Sequence, residues 1–121
     1  VSFFNQGKPA RIISRGVICD VQDEVGDLYI CPDNCRAEIT MLFCVNANGN
    51  TTALAKWVRA SDSAEFRIIG GKNLGLGDSI LLTGATLVLE PGDKITCVAA
   101  DNTTPELDYM CTVVETFIPV G

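Results

Sequence analysis

Apolar and polar residues alternate with a period of two along almost the whole chain, and Gly, Asn, Asp and Pro punctuate the alternation. The pattern predicts a first strand over Arg11 to Val21, an acidic turn over Asp23 to Asp27, and a short strand over Leu28 to Cys31. Pro32-Asp33-Asn34 ends that strand, since Pro presets a turn dihedral and Asp and Asn tolerate left-handed geometry. Ala37 to Asn46 is the clearest strand. Strict alternation sets Ile39, Met41, Phe43 and Val45 on one face and Thr40, Leu42 and Cys44 on the other. Both faces are then apolar, which predicts a central strand or a face covered by another subunit.

Asn48-Gly49 predicts a hairpin, because both central residues of such a turn need positive φ. Further strands follow over Thr51 to Arg59, Phe66 to Ile69, Asp78 to Thr83, Thr86 to Leu89, Lys94 to Ala100 and Tyr109 to Ile118. Gly70 to Gly77 reads as a glycine-rich loop, and Glu90-Pro91-Gly92-Asp93 as a turn. Eight or nine short strands at roughly ten-residue spacing, with no sustained helical period, predict an all-β fold: an antiparallel β-sandwich, jelly-roll-like. Residues 1–121 suit a single domain, with residues 1–13 as an N-terminal arm on a neighbouring subunit.

Composition narrows the chemistry. The net charge of −6 sets the surface against phosphate backbones, so no nucleic-acid partner is expected. No apolar run is long enough to span a bilayer, and no membrane partner is expected. The chain has no His, which removes the imidazole base of most Ser and Cys nucleophiles. Lys8, Lys56, Lys72 and Lys94 are available as bases, but no pattern sets one beside a Ser. The chain is therefore expected not to be an enzyme, and no cofactor or metal is expected. The glycine-rich loop departs from a phosphate loop: Lys72 is followed by Asn73 and a β pattern, not by Ser or Thr and a helix. Asp23, Glu24 and Asp27 crowd one turn, and their spacing does not match an EF-hand.

Six cysteines permit full pairing in 15 ways, which spacing alone does not resolve. Cys31 and Cys35 flank a three-residue turn that can bring their Cα atoms within about 5–6 Å, suiting a local disulfide. Cys97 and Cys111 lie on the last two predicted strands and are expected to be close neighbours, bonded or not. Cys19 and Cys44 read as core cysteines. Trp57, Phe66 and Tyr109 read as core or interface packing, with a stacking platform as the other reading.

The run Tyr29-Ile30-Cys31-Pro32-Asp33-Asn34-Cys35-Arg36-Ala37-Glu38-Ile39-Thr40-Met41-Leu42-Phe43 resembles the opening of small β-sandwich virion structural proteins of tailed, marine-type bacteriophages. Lys56-Trp57, Glu65 to Leu74 and Leu87 to Ile95 follow in the same order, so the resemblance covers Leu28 to Glu115. Cys44, Cys97, Cys111 and the N-terminal stretch to Ser14 depart from it. The resemblance implies a non-enzymatic virion protein, assembled in the host cytoplasm, that decorates or joins a capsid, neck or tail. The two-sided strand and the apolar tail add self-association, a trimer being favoured, with other virion proteins as further partners. The expected contact residues are Ile39, Met41, Leu42, Phe43, Phe117, Ile118 and Val120. The other class is a secreted, disulfide-bonded binding module, such as a carbohydrate binder.

Overall fold

Strands fill most of residues 10–118, the part of the chain that the computed structural model describes. They are β1 (Ala10–Cys19), β2 (Gly26–Ile30), β3 (Cys35–Asn46), β4 (Thr51–Val58), β5 (Glu65–Leu74), β6 (Ser79–Leu89), β7 (Lys94–Ala100) and β8 (Leu107–Phe117). One sheet has the order β1-β8-β3-β6 and the other β2-β7-β4-β5, with every pairing antiparallel. The pairs β1·β8, β2·β7, β3·β6 and β4·β5 are nested, as if one long hairpin had been folded over itself. That winding is the jelly roll, and it closes an apolar interior between two four-stranded layers.

Several expectations change. Asn48-Gly49 does not close a hairpin: β3 and β4 lie in different sheets, and Gly49 but not Asn48 has positive φ. The glycine-rich stretch is mostly strand. β5 continues to Leu74, and Gly71, with φ of 92°, is the extra residue of a bulge between Ala53↔Lys72 and Leu54↔Gly70. Ala10–Ile13, expected in an arm, pairs with Thr116–Val113 inside β1; residues 1–9 lie outside the described part. β7 and β8 are not a hairpin, because the connection over residues 101–106 crosses between sheets. Cys97 faces Gly26 and Ala55, whereas Cys111 faces Arg15 and Leu42, so these two cysteines are not strand partners.

The core is built from the inward positions of four central strands. β8 contributes Leu107, Tyr109, Cys111 and Val113, and β3 contributes Ala37, Ile39, Leu42 and Cys44. Small residues face them from the other sheet: Ala53 and Ala55 on β4, Cys97 and Ala99 on β7. Tyr109 spans the gap, donating its hydroxyl to the Val98 carbonyl at 2.7 Å and accepting the Leu54 amide at 3.1 Å.

One end of the sandwich is tied by a buried carboxylate. Asp93 accepts hydrogen bonds from the Trp57 indole at 3.2 Å, the Ala60 amide at 2.8 Å and the Glu90 amide at 3.0 Å. It thereby joins the end of β4, the loop after it and the β6–β7 turn. Alanine at Asp93 leaves these donors without an acceptor in a dry site and should cost about 3 kcal/mol of stability. The urea midpoint at unchanged slope checks this, and an unshifted midpoint would contradict the assigned role.

Candidate interaction surface

In an antiparallel sheet, paired residues share a face, so the register maps the surface directly. On the outer side of β1-β8-β3-β6, the central rows are Gly16–Met110–Phe43–Leu81 and Ser14–Thr112–Met41–Thr83. Ile18–Asp108–Val45–Ser79 lies on one side of them and Ile12–Val114–Glu38–Val88 on the other. The central rows hold no charged residue. Ile12 is 73% exposed and Leu81 58%, with Ile18 and Val88 also exposed. The second sheet differs. Its outer face carries Lys56 paired with Glu65 at 3.0 Å and Lys94 with Asp27 at 3.5 Å, beside the apolar Leu54, Val58 and Val98.

A single bulge decides which β3 residues reach this face. Ile39 opposes Val113 and Met41 opposes Thr112, leaving Thr40 as the extra residue on β3. Its hydroxyl donates to the Thr112 carbonyl at 3.3 Å. One extra residue reverses the side to which every later side chain points. Ile39, Leu42 and Cys44 therefore all point inward, and Met41, Phe43 and Val45 point out. This corrects strict alternation. Ile39, 5% exposed, and Leu42, 2% exposed, belong to the core, where they border an open apolar groove with Ile68, Leu82 and Leu87. Met41 and Phe43 lie on the outer face as expected. Phe117 is exposed at the far end of β8, the Ile118 amide bonds the Asn34 carbonyl, and Val120 lies outside the described residues.

Sequence reasoning missed Ile12, Ile18, Leu81, Val88, Met110 and Val114. Their signal was present as consecutive apolar pairs, Leu81-Leu82 and Val113-Val114, which must split between two faces of a strand.

The remaining candidates are structural. Trp57 and Phe66 stack at 4.9 Å, and the Arg59 guanidinium sits 5.0 Å from the Phe66 centroid, occupying one face of the pair. Tyr109 is buried apart from them. Arg59 also pairs with Asp62, and that hydrogen bond holds the Asp62 carboxyl down at about 2. Asp27 of the acidic turn pairs with Lys94, and among the described residues no group of three Cys, Asp or Glu side chains is set to hold a metal.

All six cysteines are buried thiols. Cys31 donates to the Cys35 carbonyl at 3.3 Å, and Cys35 to the Asn34 side-chain oxygen at 3.4 Å. Burial pushes Cys31 and Cys111 up to about 11 and Cys44 up to about 12, which keeps these three protonated and unreactive at neutral pH. Cys19 and Cys97 touch, sulfur to sulfur, at 3.7 Å.

Glu115 is the one carboxylate on the inner face of β8, and it is 2% exposed. It accepts from Arg11 of β1 at 2.6 Å and from the Tyr29 hydroxyl of β2, so it bridges the two sheets. Burial pushes its carboxyl up. The Tyr29 and Arg11 hydrogen bonds and the Arg11 charge outweigh that, and the net pKa falls below the ordinary value. Tyr29, buried beside a carboxylate, is held protonated.

No protein-family model matches the chain. No curated protein matches it either. Solved structures share its fold. A chain from Bacillus endospore appendages, which form disulfide-linked pili, matches with a TM-score of 0.54 at 10% identity over 98% of this chain and 97% of that one. A chain of the acidic stable capsid of Helicobacter pylori bacteriophage KHP30 matches with a TM-score of 0.56 at 9% identity over 93% and 94%. A chain of infectious bursal disease virus, Gx strain, matches with a TM-score of 0.56 at 10% identity; the likeness covers 91% of this chain and 33% of that one. Nested strand pairing and these likenesses agree: the chain is a jelly roll of the kind found in viral particles and in a bacterial appendage.

Proposed function

We propose that this chain is a non-enzymatic structural subunit of a bacteriophage particle that associates with copies of itself through the outer face of β1-β8-β3-β6. The observation that carries the reading is the pair of uncharged rows whose apolar members are Met41, Phe43, Leu81 and Met110. An antiparallel sheet normally keeps one face polar, and an apolar second face calls for a cover. Net charge limits where a second copy can dock. At −6 overall, two copies repel each other over most of their surfaces, and the uncharged rows are where they approach at least cost.

The bacteriophage context rests on the Tyr29–Phe43 run and its ordered companions, with support from the near full-length likeness to the KHP30 capsid chain. In this reading the protein decorates a capsid or joins a neck or tail, meets other virion proteins there, and assembles in the host cytoplasm. A trimer suits a threefold site. Light scattering on the purified chain at micromolar concentration should return three times the chain mass, and a monomer there would overturn self-association. Absence of the chain from purified particles would overturn the virion assignment.

A second reading, an extracellular disulfide-bonded module, draws on the near full-length likeness to the pilus chain. It requires cysteines oxidised as isolated, which alkylation before reduction would show.

A further inference from the structure

We propose that Cys19 and Cys97 are a disulfide site that bolts the two sheets of the jelly roll together once the protein meets a small-molecule disulfide. The inference does not depend on the self-association face. Cys19 closes β1 in one sheet, and Cys97 lies mid-strand on β7 in the other. Their sulfurs are 3.7 Å apart, and a disulfide needs a closure of about 1.7 Å.

The surroundings allow that closure. Cys19 is the last residue of its strand, and residues 20–25 after it are exposed, held to β7 by the Asp23 amide on the Ala99 carbonyl at 2.9 Å. Gly26 lies opposite Cys97, and a Cβ at Gly26 would come within 3.7 Å of the Cys19 sulfur. Three of the other thiols have different company. Cys31 and Cys35 point at oxygen acceptors, and Cys111 lies between Arg15 and Leu42 on its own sheet.

The chemistry is thiol–disulfide exchange. Contact with Cys97 lowers the Cys19 thiol, which makes Cys19 the attacking sulfur. Cys97, whose sulfur lies 3.7 Å from that of Cys19, then resolves the intermediate. Cys19 thiolate attacks one sulfur of oxidised glutathione and releases one glutathione thiolate. Cys97 then attacks the Cys19 sulfur of the mixed disulfide and releases the second. The two protein protons end on the two released glutathiones. The protein is oxidised by two electrons and the small disulfide is reduced by two.

Treating the folded, reduced chain with oxidised glutathione tests the site. After unfolding and alkylation, four of the six cysteines should label, and peptide mapping should find Cys19 joined to Cys97. Cys19→Ser should leave all five remaining cysteines labelled, and Cys97→Ser should leave four labelled, with Cys19 held as the glutathione mixed disulfide. Should a serine variant fail to fold, the wild-type chain still decides: its oxidised form should show a higher urea midpoint than its reduced form. Six labelled cysteines, an unmoved midpoint, or a link through any other pair, such as Cys31–Cys35, Cys97–Cys111 or Cys19–Cys44, overturns the proposal.

Discussion

Lysine at both Phe43 and Leu81 should convert the protein to a monomer that keeps its fold. The two residues are direct partners across β3 and the edge strand β6, in one of the uncharged rows. In an assembly they are buried twice, once on each copy. Losing an apolar side chain from a buried contact costs about 1.5–3 kcal/mol, and placing an unpaired ammonium there costs several more. Each interface loses this at both positions, against roughly 8 kcal/mol for micromolar association. Within one chain the side chains point outward, so the sandwich core is untouched and strand circular dichroism should stay the same. Light scattering reads the outcome. Retention of the wild-type mass by the folded double variant would show that the contact surface lies elsewhere.

Glu115→Ala should be among the most destabilising single changes in the chain, lowering stability by about 3 kcal/mol. Alanine strands the Tyr29 hydroxyl in the dry interior, which costs about 1–3 kcal/mol, and leaves a cavity at the end of the core. Acid should act the same way on the native protein. The carboxyl is depressed in the folded state, so the unfolded chain binds the proton first. The stabilisation is complete above the ordinary glutamate value, about 4.3, and is lost as pH falls through the lower folded value. Glu115→Gln keeps the shape and an acceptor for Tyr29 but cannot titrate. Its urea midpoint should lie below wild type at pH 7 and approach wild type by pH 3. A gap that stays constant with pH would show that the charge of Glu115 contributes nothing.

Glu115 also shows how far such a site can be read in advance. It follows Tyr109, Cys111 and Val113 at the same phase of β8, so a carboxylate stands where an inward apolar residue is due. That phase marks a buried polar group. Its partners could not be read, because Arg11 is 104 positions away and Tyr29 belongs to the opposite sheet. Met41 and Phe43 were legible as surface candidates because β3 is apolar on both sides. Ile39 and Leu42 were misplaced with them, since alternation carries no sign of the extra residue at Thr40.

Local chemistry decided the strands and turns. Alternation and turn residues place Lys94–Ala100 at its observed bounds and a turn at Asn48-Gly49, though that turn crosses between sheets instead of closing a hairpin, since bounds and turns depend on neighbours a few residues away and pairing does not. Tertiary structure alone decided which strands pair, which face of β3 is buried and which cysteines meet. Those outcomes come from contacts between segments tens of residues apart, where burial of the shared core selects one register among many that local preference allows. The outer face of β1-β8-β3-β6 belongs to this second kind. Ile12, Met110, Phe43 and Leu81 come from four separate strands, and they form one surface only after the jelly roll has closed.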